Sequence, residues 1–455
     1  MSRPLRILQV AHGFPPDEQA GAELCCYYLS RELSRRGHHV QVFTRTARAE
    51  VRDFELLRET ADGFAVARLK LPTDTAGSLE DTYRSDFVRR RFEDELKTGF
   101  DVVHIHHLLG LSTDLVSAAR NAGARVVLTL HDFWYLCPRG QRFTPWGHLC
   151  TEVEPWRCSP CIAKKRARYA LNALGHVERF PDDEHRWSRS LRNPLAALVR
   201  GARYVTANLH RRPILERTSF ILRELNLAEL CLAPSRFLLE EYRRYGLDSR
   251  CEFLENGVEV DWVGRLAPRE GPHDPLRFGF LGSFLPSKGV DLLVEAFQEM
   301  PGPSELHLHG TSLWDGGRMF DRLRERNRNP RVFFHGPFVH EHLPEVLGDL
   351  DVLVVPSRWF ENAPLTLDEA ALSRIPVIAA GHGGMKEVVE RRGNGLLFAP
   401  GDREDLLRTL LRFAGNPALW HSLRTPKVPV CTIAEQVSAL ERRYQELLGE
   451  SPSAS

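Results

Sequence analysis

The 455-residue chain has no apolar run that approaches the roughly 18 residues needed for a membrane-spanning helix. Near its start the chain has only the short stretch Ile7-Leu8-Gln9-Val10 before polar residues appear, which is too short for the core of a secretory signal peptide. Its 33 glycines and 29 prolines are too few for a low-complexity chain. We therefore expect a folded cytoplasmic protein, with any membrane contact peripheral and at the inner face of the cell membrane.

The chain also lacks a charge imbalance, since 61 basic residues face 60 acidic ones and the net charge is +1. This balance argues against a protein that coats polyanions, and we expect no nucleic-acid partner. Lysine is scarce, because arginine supplies nearly all of the positive charge. A lysine kept in a glycine-rich turn, such as Lys288, therefore suggests a site that needs a compact ammonium group.

Residues 162–217 are an exception to the charge balance, with thirteen basic and five acidic side chains. We expect this segment to be helical, and three interpretations stay open. It could be a solvated helical face, a surface that docks on anionic lipid, or a nucleic-acid site. Its interleaved apolar residues, among them Trp187 and Leu191, suit a helix lying on a membrane surface.

Two phosphate-binding motifs are missing from strand-to-helix loops. The first loop ends in Ala20-Gly21-Ala22-Glu23 without the G-x-G-x-x-G pattern, which disfavours an NAD enzyme. The second, residues 281–289, lacks the Walker A order around Lys288. Both loops could still hold an anion, because the backbone N–H groups at a helix start attract negative charge. The alternatives are a tight turn at Gly21 and a surface lysine at Lys288.

Short apolar strands alternate with helices in two series, which predicts an α/β protein with two doubly wound domains. A glycine-, proline- and charge-rich stretch near residues 265–275 is typical of a linker. We assign the first domain to residues 1–265, the second to residues 274–430, and a final amphipathic helix and tail to residues 431–455. A ligand would bind in the cleft, at the carboxyl ends of the strands.

Two glutamates, Glu361 and Glu369, stand eight residues apart, the first in a loop after a strand and the second inside a helix. Eight helical residues span about 12 Å, whereas a retaining glycosidase needs carboxylates about 5–5.5 Å apart. The pair is therefore suited to gripping two ends of an extended ligand. Because glutamates are common, the spacing alone is weak evidence.

Nine cysteines in a chain without an export signal favour reduced thiols or a metal site over a disulfide framework. Four of them follow the pattern C-x12-C-x7-C-x2-C, which suits a tetrahedral zinc ion. We call Cys137, Cys150, Cys158 and Cys161 the four-cysteine set. An iron–sulfur cluster and ordinary reduced cysteines are the alternatives. Weaker metal candidates are His104, His106 and His107, for which the alternative is that histidines at a strand end line a cleft or make local hydrogen bonds, and the aspartates at 349 and 351.

The ordered set of motifs resembles the retaining nucleotide-sugar glycosyltransferases of family GT4. The resemblance rests on the Gly-Ala-Glu loop, His131-Asp132, Asn256-Gly257-Val258, Lys288-Gly289, Pro356-Ser357 with Glu361 and Glu369, Gly383-Gly384-x-x-Glu387 and Gly395-Leu396-Leu397-Phe398. It implies the GT-B fold, in which two Rossmann-like domains face a cleft and the C-terminal helix crosses back to the first domain. Some members of the family are similar in the four-cysteine set, which lies beside the acceptor half.

The resemblance also implies residue roles. Catalysis would involve His131, Glu361 and Lys288. The donor would be bound by Gly21, Ser283, Lys288, Glu361, Asn362, Ala363, Pro364, Leu365 and Glu369. Glu369 would hold the ribose, Glu361 the transferred sugar, and Lys288 the diphosphate. The chain departs from the family at Ser283, where an arginine is usual, and at Asn362-Ala363, where Gly-Phe is usual.

We therefore expect a retaining hexosyltransferase-type enzyme that needs no cofactor for catalysis and carries at most a structural zinc. Its donor would be a UDP- or GDP-sugar and its acceptor a glycan or lipid-linked glycan, in bacterial cell-surface polysaccharide biosynthesis. The alternatives are a transferase acting on a small metabolite and a non-catalytic nucleotide-sugar-binding or membrane scaffold protein. A third is a zinc-dependent nucleic-acid binder, whose binding would depend strongly on salt.

Overall fold

A computed structural model of the protein describes residues 3–72, 79–162, 211–311 and 316–450. It contains two α/β domains, each built on its own sheet, which confirms the predicted fold class. Of the basic segment predicted over residues 162–217, residues 163–210 lie outside the described residues. In the part of the chain that the structure describes, no helix is both long and apolar enough to cross a membrane.

The first domain contains an eight-stranded sheet. Its strands are Arg6–Val10 (β1), His39–Thr46 (β2), Leu56–Ala61 (β3), Phe64–Lys70 (β4), Val102–Ile105 (β5), Arg125–Thr129 (β6), Leu230–Ala233 (β7) and Cys251–Phe253 (β8). Its described helices include Gly21–Arg35 (α1), Asp86–Leu96 (α2), Leu115–Asn121 (α3), Arg211–Leu225 (α4) and Arg236–Arg244 (α5). The strand order is β3-β4-β2-β1-β5-β6-β7-β8, and only the β3–β4 pair is antiparallel.

The second domain contains a six-stranded, fully parallel sheet in the order β11-β10-β9-β12-β13-β14. Its strands are Arg277–Leu281 (β9), Glu305–His309 (β10), Val332–Gly336 (β11), Val352–Val355 (β12), Val377–Ala380 (β13) and Gly395–Phe398 (β14). The helices that follow residue 289 are Val290–Gln298 (α6), Arg318–Arg326 (α7), Leu343–Gly348 (α8), Leu365–Leu372 (α9), Gly383–Arg392 (α10), Arg403–Ala414 (α11), Pro417–Leu423 (α12) and Ile433–Leu448 (α13).

The central strands of both sheets are short and apolar because helices cover both of their faces. Every residue of β5, β12 and β13 is buried. A parallel strand buried on both sides has no solvent face, so its sequence is a continuous apolar run and not an alternation. This is the pattern that made these strands visible in the sequence.

Each sheet reverses its strand order at one place, and in doubly wound sheets such a place is where ligands generally bind. In the first domain the reversal lies between β1 and β5, and in the second between β9 and β12. Loops that leave the carboxyl ends of neighbouring strands diverge at such a reversal and open a crevice. The loops that carry Gly21, Lys288 and Glu361 all leave from these strands.

Helix α13 follows the second domain in sequence but packs on the first, as predicted. Its Tyr444 hydroxyl lies 2.6 Å from Nδ1 of the fully buried His104 on β5. Its Glu441 accepts a hydrogen bond of 2.7 Å from Arg36, directly after α1. The helix begins at a capping box formed by Thr432 and Glu435.

The predicted linker near residues 265–275 is anchored to the second domain. Arg269 donates to the Leu350 carbonyl at 2.8 Å and pairs with the fully buried Asp351. The backbone N–H groups of His273 and Arg277 also donate to Asp351, at 2.9 and 2.7 Å. Asp351 is therefore a structural anchor, and this arrangement gives no support to its interpretation as a metal ligand.

Candidate functional site

Lys288 and Glu361 meet at the crevice of the second domain. Lys288 ends a short 3-10 turn after β9, and Glu361 lies in the loop after β12. The Lys288 Nζ donates to Glu361 Oε1 at 2.6 Å. The same oxygen accepts from Ser357 Oγ and from Trp359 Nε1, each at 2.8 Å. The structure thus brings together two predicted catalytic residues and fixes the carboxylate with three donors.

The loops around this pair pack closely enough to require glycine. Gly289 has a φ of 70°, and a Cβ there would lie 2.1 Å from the Pro356 carbonyl oxygen. A Cβ on Gly384 would lie 1.8 Å from the Asn362 carbonyl oxygen. Neither approach leaves room for a side chain. Glycine at these two positions therefore holds the loops after β9, β12 and β13 together as one surface.

The predicted donor-binding residues Ala363, Pro364 and Leu365 form the start of α9. No side chain caps this helix start, and residues 363–365 are partly exposed. Uncapped N–H groups at a helix start can bind an anion or a sugar hydroxyl. Ser283 lies in the loop after β9, where its carbonyl accepts from the Leu285 N–H at 2.9 Å.

Glu369 lies on α9, and its carboxylate is 3.7 Å from Nε2 of His340. This contact raises the pKa of His340 above its ordinary value, against the opposing effect of burial. A cavity of about 320 Å³ borders His340 and is lined by Glu259, Asp261, Trp262, Arg265, His340 and Glu341. Glu369 thus contacts His340, which lines this cavity, without lining it itself.

His131 lies after β6 of the first domain and is held from both sides of the cleft. Asn362 Nδ2 of the second domain donates to the His131 carbonyl at 2.7 Å. His131 Nε2 lies 3.1 Å from Nδ1 of His106. Burial and the neighbouring His107 lower the pKa of His131 to about 4, so the imidazole is neutral at pH 7. The structure therefore connects two predicted site residues, His131 and Asn362, across the cleft.

Two histidine–carboxylate pairs on the first domain were not predicted. His12, after β1, lies 3.0 Å from Glu23 on α1, and His107, after β5, lies 3.2 Å from Asp132. The rings of His12 and His107 are 4.2 Å apart. Burial, together with His107, lowers the pKa of His12 to about 4. These histidines follow strand ends beside the crevice, and that sequence position is the signal that could have identified them.

Gly21 is the first residue of α1 in the first domain. A Cβ on Gly21 would meet no atom within 4 Å, so the helix start faces open space. No side chain caps it. The predicted role of Gly21 as an anion or sugar contact is compatible with this geometry. The alternative, a glycine needed for a tight turn, gains no support, because Gly21 does not have a positive φ.

The weaker histidine candidates are occupied by protein partners. His104 is bonded to Tyr444 and also to Thr129 Oγ1, at 2.7 Å, and burial lowers its pKa to about 3. His106 is bonded to Gln9 at 2.9 Å as well as to His131. Local hydrogen bonding, the alternative to metal binding, accounts for these side chains.

The four-cysteine set lies in one region of the first domain. Burial raises the pKa of the Cys158 thiol, and each of the other three cysteines adds to that increase. Among the described residues, two groups place three potential ligand atoms within 4.8 Å of one another, and neither includes the set. Sulfurs bound to one zinc ion at about 2.3 Å would be closer than that. The four cysteines are therefore near one another, but no three of their sulfur atoms lie within 4.8 Å of one another.

Two family descriptions match the chain. "Glycosyltransferase Family 4" matches residues 20–262, more than half of the sequence, and "Glycosyl transferases group 1" matches residues 275–416. The two matches correspond to the two domains of the structure. Together they cover the loops that carry Gly21, His131, Lys288 and Glu361.

Curated relatives match part of the chain. A GDP-mannose-dependent alpha-mannosyltransferase of Mycobacterium tuberculosis is 30% identical over 190 residues, which is 40% of this chain and 47% of that protein. The amylovoran biosynthesis glycosyltransferase AmsK of Erwinia amylovora is 25% identical over 170 residues, which is 36% of this chain and 41% of that protein. The chain thus spans less than half the length of these relatives.

Solved structures match nearly the whole chain and establish the fold. Sucrose-phosphate synthase from Thermosynechococcus elongatus has a TM-score of 0.63 and 18% identity, over 98% of this chain and all of that one. Anabaena HepE in complex with UDP-glucose has a TM-score of 0.54 and 17% identity, over 98% and 96% of the two chains.

Proposed function

Because the chain belongs to Glycosyltransferase Family 4, we propose that it moves a sugar, with retention of configuration, from a UDP- or GDP-sugar to a hydroxyl of a glycan or lipid-linked glycan. The observation that carries the proposal is the Lys288–Glu361 pair, fixed at the crevice of the second domain and facing the first. The relatives support both donor classes, since one is named for GDP-mannose and a structural neighbour holds UDP-glucose.

The charges around the pair suit the cleavage of a glycosyl–phosphate bond. Positive charge develops on the sugar and negative charge on the leaving diphosphate. A fixed ammonium at Lys288 and the backbone N–H groups of Ala363 and Leu365, at the uncapped start of α9, would stabilise the diphosphate as it leaves. Glu361, oriented by Ser357 and Trp359, would hold hydroxyls of the transferred sugar.

A retaining reaction at this site needs no separate base on the enzyme. The leaving phosphate can take the proton of the acceptor hydroxyl on the same face of the sugar. His131 would lie beside the reacting sugar as a neutral imidazole, in keeping with its lowered pKa. Its position is set by the bond from Asn362 to its carbonyl, so a change in how the domains approach each other would move it.

The experiment that tests the donor site is a calorimetric panel of UDP, GDP, ADP, dTDP and CMP. We expect one diphosphate to bind and Glu369→Ala to weaken that binding at least tenfold, because a ribose contact is lost. The matched control is Glu341→Ala, which removes a neighbouring exposed carboxylate at the same cavity. Absence of binding to every nucleotide by folded protein would favour the scaffold alternative.

The acceptor is tested by turnover with lipid-linked glycans and with small polyols. The relative named for amylovoran biosynthesis supports the polysaccharide interpretation, and sucrose-phosphate synthase supports a small acceptor as the alternative. Proton NMR of the first product reports the anomeric configuration. A product with inverted configuration would contradict the proposed mechanism.

A further inference from the structure

Cys231 and Cys251 form a thiol pair away from the cleft. They are direct partners in the parallel register of β7 and β8. The Cys231 N–H donates to the Arg250 carbonyl at 2.7 Å, which fixes the two strands side by side. Paired strands lie about 4.8 Å apart, within the Cα–Cα range of about 4.4–6.8 Å that a disulfide can bridge.

The two thiols already interact. Each thiol changes the acidity of the other, since Cys231 lowers the pKa of Cys251 and Cys251 raises that of Cys231. Ser249 contacts both sulfurs, since its hydroxyl lies 3.1 Å from Cys231 Sγ and its carbonyl accepts from Cys251 Sγ at 3.1 Å. As direct register partners on neighbouring strands, the two side chains lie on the same side of the sheet and both contact Ser249.

The two cysteines differ in the way that a reactive pair requires. Cys231 is fully buried, whereas Cys251 is half-buried on β8, the outer strand of its sheet. The hydrogen bond from Cys231 and the nearby Arg243 lower the pKa of Cys251 to about 7. Cys251 would therefore be the attacking thiolate, and Cys231 the resolving thiol.

Cys25, Cys26 and Cys431 do not combine these features. Burial raises the pKa of Cys25 to about 12, and burial with nearby acids does the same for Cys431. Cys25 and Cys26 are neighbours in one helix and are both buried. Among the thiols whose pKa shift is resolved, only Cys251 has a cysteine as its cross-strand partner, is partly exposed and has a lowered pKa.

We propose that Cys231 and Cys251 form a reversible disulfide when the protein meets a low-molecular-weight disulfide such as glutathione disulfide. The Cys251 thiolate attacks one sulfur of the oxidant, forms a mixed disulfide and releases one thiolate. Cys231 then loses its proton and attacks the Cys251 sulfur, releasing the second thiol. The pair gives up two electrons and two protons, and the oxidant becomes two thiols.

The bond would tie β8 to the sheet just before the chain crosses to the second domain. After β8, the Leu254 N–H donates to the Ala233 carbonyl at 3.0 Å. The next residue, Glu255, accepts from Arg391 at 2.7 Å and from Arg392 at 2.6 Å on α10. Oxidation would therefore fix the strand that leads directly into the inter-domain contact.

The test is peptide mapping of the full chain after incubation with glutathione disulfide, alkylation of remaining thiols and digestion with trypsin. Cleavage after arginine releases residues 224–236 and 251–265, and each peptide contains one cysteine. We expect these peptides to be linked in the oxidised sample and separate after reduction with dithiothreitol. The link should be absent in Cys251→Ser and unchanged in the matched control Cys431→Ser.

Labelling kinetics give a second readout that does not depend on disulfide formation. Iodoacetamide at pH 7 should modify Cys251 at least about tenfold faster than Cys431, because about half of Cys251 is thiolate at that pH whereas Cys431 is almost entirely protonated. Recovery of both peptides unlinked from folded, oxidant-treated protein would overturn the proposal. So would a stable mixed disulfide of Cys251 with glutathione as the end product.

Discussion

Replacement of Glu361 by glutamine separates the two functions assigned to the donor site. The amide keeps the shape of the side chain and can still accept hydrogen bonds from Ser357 and Trp359. It removes the negative charge that pairs with Lys288 at 2.6 Å. Lys288 keeps its charge and stays available to a diphosphate. The variant should therefore bind nucleotide nearly as well as the wild-type protein but turn over more slowly.

The size of the effect follows from the bonds that change. A hydrogen bond to a charged group contributes about 1.5–3 kcal/mol, against about 1 kcal/mol for a neutral one. Loss of the Glu361 charge that one sugar hydroxyl contacts should raise the activation barrier by about 1–2 kcal/mol, which corresponds to roughly a 5- to 30-fold lower kcat.

The assay measures kcat and the nucleotide Kd on the same preparation, with the thermal midpoint as a check on folding. Glu369→Ala is the reciprocal control, because it should weaken nucleotide binding first. A kcat within twofold of wild type would refute the reasoning. An equal loss of kcat and of nucleotide affinity in Glu361→Gln would refute the division of labour between the two glutamates.

Three further outcomes test the rest of the structure. Arg392 is buried between Glu255 and Asp368, so Arg392→Met should lower the free energy of unfolding in urea by about 3–5 kcal/mol. The matched variant Arg391→Met should lower it by about 1 kcal/mol or less, and equal losses in the two variants would contradict the structural role given to the buried Arg392. Burial raises the pKa of Asp368 to about 6 from 3.8, so the stabilising contribution of its protonated form is complete below pH 3.8 and is lost as the pH rises through 6. Over that pH window the urea midpoint of Asp368→Asn should fall less than that of the wild-type protein, and identical pH profiles would refute the raised pKa. Purified protein should carry about one zinc per chain by elemental analysis, and a metal-free preparation of full stability would exclude a structural zinc in the four-cysteine set.

The sequence was most informative where a single element carries the signal. Apolar runs located β5, β12 and β13, because strands buried on both faces are mostly apolar; His104 on β5 is the polar exception and is bonded to Tyr444 and Thr129. It missed β3, whose residues alternate between partly buried and exposed and include Arg58 and Glu59. It also missed β8, which has only three residues. Edge strands of this kind carry too few apolar positions to stand out.

Contacts between distant segments could not be predicted in the same way. Arg217 was counted with the basic surface segment, yet it is fully buried and donates to the Trp134 carbonyl at 2.5 Å. Burial lowers its pKa to about 10. Likewise, nothing in the local sequence of Asn362 indicates that it reaches the His131 carbonyl. Such partners are determined by how the domains pack.

Glu361 and Glu369 could be predicted in part. Their loop and helix positions were predicted correctly, because the motif fixes local structure. Their partners Lys288 and His340 are supplied by the loop after β9 and a turn after β11. A motif can therefore locate a site residue while leaving its chemical environment to the rest of the fold.

The return of α13 to the first domain has a consequence for synthesis on the ribosome. Ile433, Val437, Leu440 and Tyr444 belong to the same buried cluster as Ile7 on β1. The domain that emerges first therefore lacks part of its core until the last helix has left the exit tunnel. Until then, helix α1 would expose the apolar residues that α13 later covers. Exposed apolar surface of this kind on a nascent chain is what chaperones bind.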